Sequence, residues 1–341
     1  MVGLKLSKKR QFQLLLLLLF LGGLLQGGIF RVQASLKDVT MTPIVSSATV
    51  TDRFQLQGKS HNNYRLQLAV TNFGPETMAI KIQPTRATTS SQGQLLYRPS
   101  AEDAPAPIDF SSLTSAQVLD LHPDQTRIVT FTIRLGAVNW TGLVLGGLYL
   151  SDIHQPQVQG PQVPVEIRFL PINQSGALKF QDFTPQVQAQ RPVIQARLVN
   201  QRPVLMHNTK IDFQLRKRGF WELFGLGFKP QTQKQTYSWI APNSLVPIVF
   251  EQRLQAIRPG TYYLKGTART GKKQWHFSQR VRITAAQARK INQTSRKVIV
   301  DYTELYLGLI GLLLGLVILV SVGLWRQKRR NQILLSQASS E

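Results

Sequence analysis

The sequence predicts an all-β protein, two tandem sandwiches set between two long apolar segments. Three observations carry this reading. Apolar residues recur with period two in short runs, as in RLQLAVTN (65–72), RIVTFTIRL (127–135) and KIDFQLRKR (210–218). Pro, Gly, Asn and Asp fill the gaps between the runs. The plan of the first half then returns in the second.

The apolar segments define the ends. Lys5, Lys8, Lys9 and Arg10 precede a leucine-rich run from Phe12 to Leu25, and Val32-Gln33-Ala34 offers a cleavage site. Residues 1–34 therefore read as a secretory signal peptide, with an uncleaved anchor as the alternative. Leu305–Trp325 carries no charge. As a helix it would reach about 30 Å, enough to cross a hydrocarbon core. Tyr302, Tyr306 and Trp325 suit its two interfaces. RQKRR follows, so 326–341 reads as a short cytoplasmic tail, with the preceding domains outside the cell membrane. Arg289, Lys290, Arg296 and Lys297 flank the other side, so the signal peptide rather than charge bias sets this orientation.

Composition narrows the class. The 341 residues include no cysteine and carry a net charge of +24. An exported chain without disulfides fits a bacterial protein that relies on its cores. The charge is uneven. Residues 35–169 hold ten Lys and Arg against ten Asp and Glu, and residues 170–304 hold 22 against six. A basic half beside a membrane implies anionic headgroups, teichoic polymers or an acidic protein as its neighbours. Export excludes nucleic acid as a partner.

In the first half, MAIKIQ (78–83) continues the alternation, and Asn72-Phe73-Gly74-Pro75 and Pro123-Asp124-Gln125 are turns. In the second, VIQARLVN (193–200) matches the strand ending at Asn72, and Pro242-Asn243-Ser244 stands where Pro123-Asp124 stood. Two immunoglobulin-like sandwiches follow, 35–170 and 171–284, with a break in the Gln/Pro/Gly-rich 155–177 region. Residues 285–304 read as a stalk whose short helix Thr284 would cap.

No chemistry-bearing constellation emerges. The five histidines are scattered, and neither H-E-x-x-H nor G-x-S-x-G occurs. Glu102-Asp103 sits in a Pro/Ala-rich loop. GTARTGKK (266–273) imitates a phosphate loop, but Lys273 replaces the Ser/Thr and the turn joins two strands. The expectation is a protein that is not an enzyme and needs neither cofactor nor metal.

Three stretches are candidate binding elements. WTGLVLGGLYLSD (140–152) is too short to span a membrane as a helix and reads as a strand. Its glycines mark either a bulge or a flat surface for a partner strand or glycan. Gly142, Leu145, Gly146, Gly147 and Tyr149 are the contact residues in the second case. RKRGFWELFGLGFKP (216–230) crowds Phe220, Trp221, Phe224 and Phe228 between Arg216, Lys217, Arg218 and Lys229. It either caps its own sandwich or docks on a membrane or acidic partner. Gly308, Gly311 and Gly315 lie near one helical face, which suits self-association.

YRLQLAVTNFGPETMAIKI, ATTSSQGQLLY and WTGLVLGGLYLSD in the first half resemble one known group in order and spacing. So do GALKFQDFTPQV, VIQARLVNQ, IAPNS, RPGTYYLKGTARTGKKQWHF and ITAAQARKIN in the second. The group is the WxL-interacting proteins of Gram-positive bacteria. The resemblance implies a peptidoglycan-binding domain followed by a host-binding domain. As partners it implies WxL-domain surface proteins, peptidoglycan and host components. A wall-assembly enzyme or chaperone acting on glycan is the alternative.

Overall fold

The computed structural model describes residues 36–45, 52–100, 104–225, 227–253, 255–296, 298 and 303–338. The expected signal peptide and Glu102-Asp103 lie outside the described residues.

The chain is mostly β, in several sheets. In the first sandwich, β1 (Val39–Ile44), β3 (Asn63–Asn72) and β8 (Thr126–Arg134) form one sheet. The facing sheet has the order β2 (Phe54–Gln57), β10 (Gln162–Phe169), β9 (Gly142–Asp152), β4 (Met78–Arg86) and β7 (Gln117–Leu121). Alternation does the packing. Leu66, Leu68 and Val70 of β3 and Val129, Phe131 and Ile133 of β8 meet Ile80, Ile82, Leu148, Leu150, Val165 and Ile167. Each such side chain contributes about 1.5–3 kcal/mol when fully buried.

The second sandwich pairs β11 (Leu178–Gln188), β12 (Arg191–Asn200) and β15 (Leu245–Glu251) in one sheet. The other runs β14 (Gln231–Ile240), β13 (Met206–Arg218), β16 (Gly260–Thr270) and β17 (Lys273–Ile283). Ile194, Leu198, Ile248 and Phe250 pack there against Ile211, Phe213, Leu215 and Leu264.

The repeat seen in the sequence is an atomic one. Asn72 Nδ2 donates to the carbonyls of Glu76 (2.8 Å) and Leu121 (3.2 Å), while its main-chain N–H donates to Gln125 O. Asn200 Nδ2 donates to the carbonyls of Val204 (2.8 Å) and Ala241 (3.1 Å), while its N–H donates to Ser244 O. Both side chains are fully buried, so each satisfies carbonyls that water cannot reach. Asp124 (φ 55°) and Asn243 (φ 46°) turn the matching corners in the left-handed region that Asx residues tolerate.

An arm joins the sandwiches. The short strands β5 (Thr88–Thr89) and β6 (Leu95–Leu96) form a hairpin that leaves the first and lies on the second. Thr89 Oγ1 bonds Ser244 Oγ at 2.9 Å and accepts from the Ala241 N–H at 3.0 Å. The Trp239 N–H donates to Gly93 O, and Gln235 Nε2 donates to Ser91 O. Gly93 is required here: its φ is +77°, and a Cβ would stand 2.5 Å from Tyr237 Cα.

Helix α1 (Phe220–Leu223) is a single turn between β13 and β14. Helix α2 (Ala285–Thr294) starts at the expected cap, where Thr284 and Gln287 form a reciprocal capping box. It is not a free stalk. Ala288 is buried in the second core, and Asn292 exchanges hydrogen bonds with the main chain of Ile257. Helix α3 (Thr303–Ala338) contains Leu305–Lys328, which is long and apolar enough to cross a membrane.

Candidate binding surfaces

GLVLGGLYL forms β9, and β9 is an inner strand. β10 pairs it on one side and β4 on the other. Its main-chain groups are already spent, so the expected addition of a partner strand there is corrected: no open edge exists. The glycines do answer to a close approach, but from this chain itself. A Cβ on Gly146 would fall within the ring of Phe110, and one on Gly147 would meet the Tyr97 side chain. Gly142 (φ +150°) lies under Pro203 of the second sandwich. Leu143 and Leu145 are buried with Ala87, Tyr97 and Ala241.

Only the far end of the strand opens outward. Beyond Tyr97 the outer face of the five-stranded sheet holds a cleft of about 720 Å³. Lys81 and Gln83 come from β4, Tyr149, Ser151 and Asp152 from β9, and the 153–159 loop forms the far wall. Register explains the grouping, because Lys81 stands opposite Ser151 and Gln83 opposite Tyr149. Arg98 and Pro99 close the near side and lead into a smaller hollow bordered by Asp109 and Ser111. The Tyr149 hydroxyl accepts from the Gly160 N–H at 3.2 Å, and Asp152 Oδ1 accepts from the His154 N–H at 2.7 Å. Tyr97, beside the cleft, has its hydroxyl pushed up to about 12. Burial is the main cause, partly offset by Arg53 and reinforced by Glu166 and Asp52. It stays a neutral donor. Of the residues named from sequence, only Tyr149 lines the cleft. The others were missed because they come from three separate segments and none is a chemically marked type.

The residues of RKRGFWELFGLGFKP divide between an inward and an outward set. Phe228 turns inward and packs edge-on against Tyr262 at 5.3 Å. Lys217 also turns inward, being flanked in β13 by outward Arg216 and Arg218. It pairs with Glu222 at 3.2 Å, and both side chains are nearly buried. Burial raises the Glu222 carboxyl, but the Phe228 N–H (3.0 Å) and the Lys217 ammonium outweigh it and hold the group below its ordinary range. Lys217 is thus neutralised and is no part of a basic surface. Phe220, Leu223 and Phe224 stand outside at 65%, 82% and 64% exposure, and Trp221 is half-buried against Phe220. Lys229 is exposed.

Arg216 and Arg218 continue into a basic face. Arg216, Tyr263 and Arg280 are neighbours across β13, β16 and β17, and Arg218, Thr261 and Arg282 form the next row. Arg218 and Arg280 lie over the Tyr263 ring at 5.2 and 5.9 Å. Among the described residues, no three of His, Asp and Glu gather as a metal site. Gly308, Gly311 and Gly315 on α3 have open space where a Cβ would stand.

The model of the WxL-interacting protein peptidoglycan-binding domain matches residues 40–152, and the model of the host-binding domain matches 162–293. The chain belongs to the WxL-interacting protein family. The second match starts within β10, whose hydrogen bonds to β9 and β2 place that strand in the first sandwich; the sheets, not the match, mark the structural boundary. No curated protein sequence matches. Among solved structures, the YadV chaperone aligns at 10% identity and TM-score 0.27 over 72% of this chain and 100% of that one. The Pseudomonas aeruginosa CupB2 chaperone aligns at 11% and 0.27 over 68% and 98%, and the E. coli chaperone DraB at 11% and 0.26 over 70% and 95%. At such scores the likeness supports no statement about this member of the WxL-interacting family.

Proposed function

We propose that this protein is a non-enzymatic cell-surface adaptor, held by α3 in the cell membrane with its tail inside and both sandwiches outside. The first sandwich binds peptidoglycan in the cleft of Lys81, Gln83, Arg98, Tyr149 and Asp152. The observation that carries this is the cleft itself, an open polar hollow on the domain that matches the peptidoglycan-binding model. Its cations suit the carboxylates of stem peptides, and its amides suit acetamido and hydroxyl groups, the mix of convergent polar groups a ligand site needs. WxL-domain surface proteins are the protein partners that the family's description supports, with host components reached through the second domain. Strand addition by such a partner is open at outer strands such as β17, which among the described residues pairs with β16 alone.

Co-sedimentation with purified sacculi tests the cleft. Lys81→Glu with Arg98→Glu is expected to lower binding at least about tenfold, equivalent to roughly 1.4 kcal/mol, while the fold is kept. Unchanged sedimentation would remove the cleft as the site. Two α3 helices would pack through Gly308, Gly311 and Gly315, in which case Gly311→Leu lowers cross-linked dimer in membranes, and no change would discard that contact.

A further inference from the structure

We propose that the end of the second sandwich nearest α3 is a lipid-docking surface. There Phe220, Leu223 and Phe224 enter the outer leaflet, and Arg216, Arg218, Arg280 and Arg282 bind the phosphates of anionic phospholipids. The inference rests on the reading that α3 spans the membrane.

Strand register sets the location. Arg218, the last residue of β13, stands opposite Thr261, and Thr261 stands opposite Arg282. Arg282 is two residues before Thr284, the cap of α2. The aromatic turn and the chain's exit are therefore at the same end of the sandwich. Helix α2 lies across that end, from β17 to the turn between β11 and β12, where the Arg296 N–H donates to Gln190 O at 2.9 Å. From Arg296 to the start of α3 at Thr303 the chain can cover at most about 25 Å even fully extended. This end of the domain cannot stand far from the bilayer.

The chemistry fits what the location offers. Phe220 and Phe224 pack edge-on at 5.2 Å, and with Leu223 they make one outward apolar patch. The patch is held in place from behind by the Lys217–Glu222 pair, by Glu222 accepting from Phe228, and by Phe228 against Tyr262. A fixed base with an exposed apolar tip is the form of an interfacial anchor. The four arginines occupy the last two rows of the sheet beside it, about 7 Å apart. Among the described residues none of them is paired with a carboxylate. Guanidinium groups grip phosphate oxygens in pairs, and each basic residue near an anionic leaflet is worth about fivefold in affinity.

The chain has no cysteine, so Leu223→Cys carries a single nitroxide. The full chain is reconstituted in nanodiscs of phosphatidylcholine with or without phosphatidylglycerol. Label depth is read from collisions with oxygen against a nickel chelate, and Val118→Cys in the first sandwich is the aqueous control. The expected result is a lipid-buried label at 223 in phosphatidylglycerol discs, moved into water by Arg216→Glu with Arg218→Glu, and an aqueous label at 118 throughout. A chain incorporated in the disc with an aqueous label at 223 in both lipids overturns the docking surface while leaving the span intact. A label that becomes shielded only when a soluble protein or teichoic polymer is added overturns it in favour of that partner. Equal insertion without phosphatidylglycerol overturns the role of the arginines. Failure to enter discs at all overturns the span, and this inference with it.

Discussion

Asn72 and Asn200 hold the same corner in the two sandwiches, donating to the same pattern of carbonyls, with a positive-φ Asp or Asn at the matching turn. The outer faces they support are unlike. In the first sandwich the large outer sheet is half covered by the arm and the neighbouring domain, which leaves a polar cleft with few net charges. In the second, the large outer sheet is bare, basic, and ends in an exposed apolar turn. The shared architecture is therefore set by a few buried polar bonds and alternating apolar residues. The outward positions of the same strands remain free to specialise.

The largest predicted effect breaks the first sandwich alone. Gly146→Val forces a side chain into the space of Phe110 and should cost about 3 kcal/mol, the upper range for overpacking. Calorimetry should show the first sandwich melting earlier and the second little changed. Next, Asn72→Ala and Asn200→Ala each strand buried carbonyls and should each cost about 2 kcal/mol in their own domain. Unequal losses would mean that the two corners are alike in geometry only.

Glu222→Gln should cost about 1.5 kcal/mol, because the Lys217 charge loses its partner. Its pH dependence has a definite sign. The folded carboxyl lies below its ordinary value, so its stabilising contribution is present above the unfolded pKa. It is lost as pH falls through the lower folded pKa, so the turn should loosen only in acid, below the ordinary glutamate value of about 4.3. Fluorescence of Trp221 in the parent should follow that acid change, and Glu222→Gln should flatten it. Smallest of all, Thr89→Val removes the bonds to Ser244 and Ala241 and should cost about 1 kcal/mol at the domain junction. Limited proteolysis within 87–104 reads that loosening.

Much of the scaffold is legible in the sequence, because period-two alternation maps directly onto inward and outward faces. RIVTFTIRL and VIQARLVN declare their strands, and the two Asn-ended runs declare the repeat. The same rule, applied further, identifies Lys217 as inward, two residues beyond Leu215. It also marks GLVLGGLYL as an inner strand, since an apolar run without alternation is buried on both faces. The cleft is not legible, because its residues converge through register from β4, β9 and two loops. The arm is not legible either. ATTSSQGQLLY carries no signal that its hydrogen-bond partners lie some 150 residues away in another domain. Placing α2 as a stalk overlooked Ala288 and Ile291, a short apolar stripe that packs back on the sandwich.

Hydrogen exchange of the full chain in phosphatidylglycerol nanodiscs, with and without soluble peptidoglycan fragments, tests the division between the two sandwiches most directly. The fragments are expected to slow exchange around 81–83, 98–100 and 149–159 only, while the lipid protects 216–229 whether or not the fragments are present. Protection of 216–229 by the fragments, with none in the first sandwich, would contradict it.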